Sequence, residues 1–435
     1  RQPVIRNLVS YPKSKRGHQL TNAQAVPLPE RPKLRPVNAS RIQRVGMEFL
    51  RLEDPSRITD AAVEVPRELL PVLYLTDGTR TPLTIKGALL FQGIILDVNK
   101  ITALLCQLDE ALLLENGQFV KAKAEKLNSY RQRPYRPMSH AGSVYPQNAT
   151  SMGNYIEESL GSLEDQADAQ IESSDLVGIV SPHIDYGRGH RTYARLWKQA
   201  SQSLADIDQI IVLGTDHNGG IGSITPTKQS YATPFGTLAT NEDAVDKIAS
   251  ALGSPDIFND ELHHLSEHSI ELSLVWAHYF MRDRNLTVVP ILCGSFQNFV
   301  VEGKDPYLDQ DVEKTVNILN ELRRQRRTLV IAAGDLAHVG PQFGDEVNYG
   351  DEELAALASK DHNTLSTIDR VDAKKFFELS VKESDSRRIC GLSCIYLLLR
   401  LLEGCKGKTV SYEQCPADQR GSSVVSIAGS LLYTE

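Results

Sequence analysis

The sequence predicts an α/β protein with a mostly parallel central sheet flanked by helices, preceded by a small winged-helix domain. The first observation is a set of four short runs rich in Val, Ile and Leu, at residues 176–183, 209–217, 286–294 and 328–338. Such a run, followed at once by Gly, Pro or Asp, is typical of a strand buried on both faces. The second is that these runs alternate with helical patterns from His140 onwards, which indicates βαβ units. The third is a group of short helical segments between residues 37 and 130, which indicates the small domain.

The composition is that of a globular protein whose charge is unevenly distributed. The 435 residues are 41% hydrophobic and 23% charged, and the formal net charge is −8. Residues 1–36 hold eight Lys and Arg against one acid, which leaves 39 basic and 54 acidic residues, a net charge of −15, in the remainder. This acidic body disfavours nucleic-acid binding, because neutralising phosphates requires a basic face.

The cysteines and the apolar segments bear on localisation. The six cysteines show no paired framework, which predicts reduced thiols in a cytoplasmic protein. No apolar stretch approaches the roughly 20 residues that a bilayer span requires, and the start of the sequence shows no apolar segment of a signal peptide. We therefore expect no membrane association.

Changes in composition predict how the chain divides. Residues 1–36 form a basic, Pro-rich arm without periodicity, and residues 131–137 (RQRPYRP) form a linker. The winged-helix-like domain occupies residues 37–130 and the α/β domain residues 138–435.

Within the small domain the sequence predicts three helices followed by a hairpin. Thr81–Pro82 opens the second helix, and Asp97 caps a third helix whose apolar residues recur at helical spacing. Asn116–Gly117 predicts the hairpin turn. Because the exposed face of the third helix is mixed to acidic, a packing or partner-binding module is favoured over DNA binding.

Histidines at strand ends predict a functional site in the α/β domain. His183, His217 and His338 follow three of the four apolar runs, and ligands of open α/β sheets bind beyond the carboxyl ends of the strands. Imidazole is a common ligand of iron, copper and zinc. One such histidine is more often structural, but three at equivalent positions favour a metal site. The remaining histidines of this domain are expected on the surface or on helix faces: His190, His263, His264, His278 and His362.

Acidic and thiol groups add candidates. Glu267 and Glu271 flank His268 at a spacing that fits either a carboxylate orienting a histidine or a helix-capping network. Asp335 lies three residues before His338, a spacing that suits a carboxylate holding a histidine tautomer. Cys390 lies beside two arginines near a helix start, which predicts a lowered thiol pKa that favours metal binding or redox chemistry.

Seven short motifs occur in order along the second domain. They are SHAGSVYP at 139–146, PH at 182–183, LGTDH at 213–217, TPFGTL at 233–238, EHSIE at 267–271, GDLAH at 334–338 and CG at 390–391. In this order they resemble the Memo family, known in prokaryotes as component B of the AmmeMemoRadiSam system. That family resembles class III extradiol ring-cleaving dioxygenases in fold, with a vestigial or altered metal site.

The resemblance implies a metal bound by His183, His217 and Cys390. Asp335 and His338 would flank it, and two further histidines would lie near the cleft, His140 and His268. The family metal is iron or copper, and two imidazoles with a thiolate suit copper, iron(II) or zinc. The sequence departs from the family where Ile184–Asp185 replaces Ala-Gly and where Asp216–His217–Asn218 replaces Ser-His-His. We therefore consider further groups that bind the metal or hold its ligands: Asp185, Asp216, Glu267 and His140.

The resemblance also implies partners. The small domain is similar to the peptide-binding winged-helix domains of the PqqD type, which predicts a peptide ligand, and the family suggests radical SAM and Amme-type partner proteins. We favour redox or other non-haem metal-dependent chemistry in a dioxygenase-like cleft, with His338 or His268 as the acid–base group beside Asp335. A non-catalytic adaptor for peptides or proteins and a metal-buffering protein remain alternatives.

Overall fold

The computed structural model describes residues 6–7, 28–44, 46–163, 175–254 and 256–435. Most of the arm predicted at residues 1–36 lies outside the described residues. The chain forms two compact units, residues 1–129 and 130–435. No helix in the described ranges is both long enough and apolar enough to cross a bilayer.

The first unit consists of a small sheet and a group of helices. Its strands follow the order β1-β2-β3-β4 and are β1 (Arg6–Asn7), β2 (Asn38–Arg44), β3 (Met47–Glu53) and β4 (Ala62–Pro66). Its helices are α1 (Leu70–Leu75), α2 (Pro82–Phe91), α3 (Val98–Glu110) and α4 (Gly117–Arg131), of which α4 ends in the second unit. Apolar residues of the helices pack against the sheet in one core that includes Leu52, Val65, Ile85, Leu89, Ile101 and Leu105.

Two predicted helix starts are confirmed, but the predicted hairpin is wrong. The side chain of Thr81 accepts a hydrogen bond from the main-chain N–H of Thr84 at 3.2 Å, and Asp97 does the same for Asn99 at 3.0 Å. Asn116 accepts a hydrogen bond from Phe119 N–H at 3.0 Å, and α4 begins where the turn was expected. Asn is favoured both in turns and before helices, so the local sequence does not distinguish them. The antiparallel sheet of β2, β3 and β4, which precedes the helices, was not predicted.

The second unit contains ten strands and ten α-helices among its described residues. The strands are β5 (Leu176–Ser181), β6 (Gln209–Thr215), β7 (Ile224–Pro226), β8 (Tyr231–Thr233), β9 (Gly236–Thr240), β10 (Thr287–Cys293), β11 (Thr328–Ala333), β12 (His338–Val339), β13 (Lys406–Pro416) and β14 (Val424–Tyr433). The helices are α5 (Ala149–Gly161), α6 (Tyr186–Ala200), α7 (Glu242–Leu252), α8 (His263–Ser266), α9 (Ser269–Met281), α10 (Gln297–Glu302), α11 (Gln310–Gln325), α12 (Asp351–Asp369), α13 (Ala373–Lys382) and α14 (Leu392–Leu401).

These ten strands form one mixed sheet. The main path is β12-β14-β5-β11-β6-β10-β9-β8, with β13 beside β14 and β7 beside β10. The four strands predicted from the apolar runs are confirmed as β5, β6, β10 and β11, and they are adjacent and parallel. The prediction of a mostly parallel sheet holds for these strands and for the pair β10–β9, whereas the remaining pairs of the sheet are antiparallel. β14 pairs antiparallel with β5 and with β13. The β13–β14 pair is a hairpin, a connection that allows antiparallel pairing without a crossover helix.

Helices cover both faces of the sheet, since alternate residues of a strand point to opposite sides. In β6, Ile211 and Leu213 belong to the core formed with α7, α11, α13 and α14. Ile210 and Val212 belong to the core formed with α5, α6 and α9. Every residue of β6 is buried, which explains why this strand is a continuous apolar run in the sequence.

Candidate metal centre

Three candidate side chains lie at the carboxyl ends of three adjacent parallel strands. His183 follows β5 by two residues, Asp335 follows β11 by two, and His217 follows β6 by two. Because β11 lies between β5 and β6, the three side chains come from neighbouring positions on one edge of the sheet. This is the edge at which open α/β sheets bind their ligands.

Cys390 reaches the same place from the turn before α14. The backbone of this turn lies against the end of β11: a Cβ on Gly391 would be only 2.8 Å from the Cα of Gly334. Thr215 Oγ1 donates a hydrogen bond to the Cys390 carbonyl oxygen at 3.2 Å. The Cys390 Sγ consequently lies 3.3 Å from His183 Nε2.

The structure thus brings together the three predicted metal ligands. The ligand atoms that His183, His217 and Cys390 can offer all lie within 4.8 Å of one another. Two overlapping groups meet the same limit, one formed by His217 with Glu267 and His268, the other by Cys390 with Asp335 and His338. Two imidazoles and a thiolate are a donor set for copper, iron or zinc.

The His183 ring is fixed by the protein in a neutral form. Its Nδ1 lies 3.0 Å from the Ala333 carbonyl oxygen. Since a carbonyl only accepts, Nδ1 carries the proton and Nε2 keeps its lone pair. Burial lowers the pKa of His183 to about 4, although the nearby Asp335 carboxylate opposes this. Asp335 Oδ1 accepts the main-chain N–H of His183 at 2.8 Å and that of Ile184 at 3.2 Å.

The His217 ring is fixed by a carboxylate. Its Nδ1 lies 3.0 Å from Glu267 Oε2, which also accepts the main-chain N–H of His217 at 3.0 Å. Burial lowers the pKa of His217, but the Glu267 carboxylate and contact with Cys390 outweigh burial and raise it well above its usual value. A carboxylate bonded to one ring nitrogen orients the other nitrogen for a metal.

Glu267 has both of the roles that the sequence left open, since it caps a helix and orients histidine rings. Its Oε1 accepts the main-chain N–H groups of His268 at 2.7 Å and Ser269 at 3.1 Å, at the start of α9. The same oxygen lies 3.0 Å from His268 Nδ1. The His268 ring stacks on the His217 ring, with centroids 4.8 Å apart.

His140 is oriented by the second glutamate of the motif. Its Nδ1 lies 3.2 Å from Glu271 Oε2, and Glu271 Oε1 accepts its main-chain N–H at 2.9 Å. The His140 ring contacts His268 edge-on at 5.8 Å between centroids. Sequence analysis missed Arg136, which donates a hydrogen bond to the Glu271 carboxylate and lies in the segment predicted to be a linker.

His338 is the first residue of β12, and it shares a metal-capable group with Cys390 and Asp335. Its Nδ1 lies 3.3 Å from the Leu336 carbonyl oxygen, and its ring packs edge-on against Phe343. Burial lowers the pKa of His338, although Asp335 opposes this.

The two carboxylates that distinguish this sequence from the family pattern have other partners. Asp185 caps α6 and forms an ion pair with Arg188 at 2.6 Å. Asp216 is buried and lies 2.9 Å from His263 Nδ1. Within the described ranges, neither aspartate belongs to a group able to hold a metal.

The lowered pKa expected for Cys390 is wrong. The pKa of Cys390 is raised to about 11 by burial, despite the opposing effect of His217. The neighbouring arginines do not lower it, because Arg387 pairs with Asp361 at 2.6 Å and Arg388 with Asp345 at 2.5 Å. Three of the histidines expected on the surface or on helix faces lie in helices and are buried: His263, His264 and His278.

The fold and the site together define an α/β protein with a cluster of histidine, cysteine and carboxylate groups at the carboxyl ends of parallel strands. A family model described as "Memo-like protein" matches residues 136–431. The chain belongs to the Memo family.

Individual proteins that carry the family's name are also similar to this chain. A MEMO1 family protein of Aquifex aeolicus is 25% identical over 399 residues, which cover 90% of this chain and 98% of the relative. One from Archaeoglobus fulgidus is 25% identical over 296 residues, 66% of this chain and 96% of the relative. The Caenorhabditis elegans protein memo-1 homolog is 26% identical over 275 residues, 62% of this chain and 71% of the relative. A match to 90% of the chain extends into the first unit, so similarity to the Aquifex protein is not confined to the second.

Proposed function

We propose that this protein binds one iron or copper ion through His183, His217 and Cys390 and uses it in redox or other non-haem metal-dependent chemistry. The observation that carries the proposal is the convergence of the three donor atoms within 4.8 Å. The second ring nitrogens of both histidines are hydrogen bonded, to Ala333 O and to Glu267. Both rings are thus held through Nδ1, which is how proteins orient histidines that bind a metal through Nε2, and the Nε2 of His183 lies 3.3 Å from Cys390 Sγ.

The metal, when bound, would supply Lewis acidity or one-electron chemistry. The protein's own residues would orient substrate and hold protons around it. His268 and His338 are the acid–base candidates, because each contacts the ligand cluster without belonging to the His183–His217–Cys390 group. Asp335 would hold the His183 main chain through its two N–H acceptor contacts. Resemblance to class III extradiol dioxygenases supports a cleft at this edge of the sheet.

We further propose that the first unit recognises a peptide or protein partner. Helix α2 exposes a row of apolar side chains at helical spacing, Leu83, Leu90 and Phe91, and Phe91 is 97% exposed. Exposed apolar groups of this kind often mark interaction sites. The resemblance to PqqD-like domains supports a peptide, and the family resemblance supports radical SAM and Amme-type proteins in the cytoplasm. If the second unit bound no metal, an adaptor would be the better account of the whole chain.

The test is the metal content of protein purified without oxygen and then incubated with iron(II) or copper(I). We expect close to one ion per chain in the wild type and loss of the ion in His183→Ala and Cys390→Ala. His362→Ala and Cys405→Ser are matched controls, because His362 is exposed and neither residue belongs to the cluster. A wild type that stays empty with both metals would contradict the proposal.

Turnover separates an enzyme from a metal-buffering protein. With metal bound, oxygen consumption that requires a small-molecule substrate and falls in His268→Gln or His338→Gln would support catalysis. Stoichiometric binding and release of the ion, with no such consumption, would support buffering.

A further inference from the structure

Arg136 is a completely buried cation beside the candidate metal centre. Its side chain is 0% exposed, and each of its three guanidinium nitrogens has an acceptor. Nε donates to the His264 carbonyl oxygen at 2.7 Å, and Nη2 donates to the Glu267 carbonyl oxygen at 2.8 Å. Nη1 donates to the Pro137 carbonyl oxygen at 2.9 Å and to the Glu271 carboxylate.

Two of these contacts fix the backbone from which Glu267 projects. The carbonyls of His264 and Glu267 lie in and just after the short helix α8, where helix carbonyls have no partner within the helix. A guanidinium provides several donors in one rigid plane, so it can hold two carbonyls at a fixed separation. The residue held in this way is the one whose carboxylate binds the rings of His217 and His268.

The third contact fixes the other glutamate. The Glu271 carboxylate accepts hydrogen bonds from Arg136, from the main-chain N–H groups of Ser139 at 3.1 Å and His140 at 2.9 Å, and from Tyr145 Oη at 2.6 Å. The Arg136 cation lowers the pKa of Glu271 despite burial. Glu271 therefore stays ionised and can hold the ring of His140.

We propose that Arg136 is the positioning residue of the candidate centre, because one buried guanidinium fixes both glutamates that orient His217, His268 and His140. Its effect on metal affinity rests on the proposed function, whereas its effect on the histidine rings does not require a metal. Arg136 is not one of the three candidate ligands, and its hydrogen bonds go to His264, Pro137, Glu267 and Glu271, so its effect on the histidines passes through the two glutamates.

A lysine at this position separates charge from geometry. Lysine keeps the positive charge that Glu271 requires but is a single point of charge, which cannot hold the His264 and Glu267 carbonyls in a fixed plane. Arg35 provides a matched control in the first unit. It is also buried and pairs with a buried carboxylate, Asp54, at 3.0 Å.

The experiment compares full-length wild type with Arg136→Lys and Arg35→Lys by nitrogen NMR of ¹⁵N-histidine-labelled, metal-free protein. We expect the ring signals of His217 and His268 to move in Arg136→Lys from a single Nδ1-bonded form to a mixture, and to stay unchanged in Arg35→Lys. Cobalt(II) affinity should then fall about 10- to 100-fold in Arg136→Lys only. Glu271→Gln should move the His140 signals and leave those of His217 in place.

The outcomes separate this inference from the proposed function. A folded Arg136→Lys protein with unchanged ring signals for all three histidines would overturn the inference, whatever the metal result. Moved signals in a protein whose wild type binds no metal would support the inference and contradict the metal function. If Arg136→Lys does not fold, hydrogen exchange of the guanidinium N–H protons of Arg136 in the wild type tests the inference. Slow exchange with water supports the positioning role of Arg136, and fast exchange overturns it.

Discussion

Glu267 shows how a single buried side chain organises a site. Its carboxylate accepts the main-chain N–H groups of His217, His268 and Ser269 and contacts the ring Nδ1 atoms of both histidines. Burial alone would raise the pKa of Glu267, but the two histidines lower it well below its usual value. A carboxylate with this many hydrogen bonds stays ionised even when buried.

At the residue scale, replacing this carboxylate should weaken metal binding. Glu267→Gln keeps one acceptor oxygen but loses the charge that holds His217, and we expect the metal affinity to fall about 10- to 100-fold. Competition with a chelator of known affinity measures the change. Glu261→Gln is the control, because Glu261 is equally buried but pairs with Arg131 at 2.6 Å. Equal losses in the two variants would indicate a general effect of removing a buried charge.

A buried histidine should make the protein less stable in acid. Burial lowers the pKa of His278 to about 4, from an ordinary value of 6.5. The unfolded chain therefore binds a proton at a higher pH than the folded chain. The stability contributed by neutral His278 is complete above pH 6.5 and is lost as the pH falls towards about 4.

His278→Gln should remove this part of the pH dependence. We expect the free energy of unfolding to fall less steeply between pH 6.5 and about 4, by up to about 1.4 kcal/mol per pH unit. Urea unfolding at a series of pH values measures the slope. The exposed His362 provides the control, since His362→Gln should leave the slope as in the wild type. If the free energy of unfolding depends on pH equally steeply in His278→Gln and the wild type, His278 is not the source of this pH dependence.

At the element scale, the position of Cys390 depends on the contact between the end of β11 and the turn before α14. The two segments meet through Gly334 and Gly391, whose backbones are close enough that a Cβ on Gly391 would lie 3.0 Å from the Asp335 carbonyl oxygen. The Gly391 N–H donates to that oxygen at 3.0 Å. A side chain at either glycine would separate the thiol from the strand-end histidines.

Gly391→Ala should therefore reduce both stability and metal affinity. The added methyl group meets backbone atoms that cannot rotate away, and we expect a loss of about 1–3 kcal/mol in the free energy of unfolding. Gly87→Ala is the control, because a Cβ there has no neighbour within 4 Å and α2 is helical. That variant should gain roughly 0.5–1 kcal/mol and bind metal normally. Unfolding curves and chelator competition for the two variants test both expectations, and unchanged metal affinity in Gly391→Ala would count against this contact.

At the scale of the whole molecule, the candidate centre lies entirely in the second unit. All seven residues of the three metal-capable groups fall between residues 183 and 390, and the family match covers residues 136–431. The first unit has its own core and its own buried ion pair, Arg35–Asp54.

A chain that begins at residue 117, which keeps α4 whole, should fold and bind metal with the stoichiometry of the full chain. Metal content and chelator competition measure this directly. Loss of the ion from a folded truncated protein would show that the first unit contributes to the centre. Partner capture, if the first unit is the recognition module, should disappear in the same protein.

The central strands and the residues at their ends were predictable from local sequence patterns. β5, β6, β10 and β11 are buried on both faces, so each appears as an uninterrupted apolar run, and the loops after β5, β6 and β11 carry the candidate groups. The caps at Thr81 and Asp97 were predictable for a similar reason, because a cap is a contact between near neighbours in the chain.

Features that depend on residues distant in sequence were not predictable in this way and are seen in the folded chain alone. The start of α4 at Asn116–Gly117 replaced the predicted hairpin, because those residues suit both a turn and a helix start. The pKa of Cys390 is raised because its turn is buried, while the adjacent arginines bind carboxylates elsewhere. Arg136 was assigned to a linker by composition, yet three of its acceptors, on His264, Glu267 and Glu271, lie more than 120 residues away. Burial and long-range pairing are properties of the folded chain, and neither leaves a periodic pattern in the local sequence.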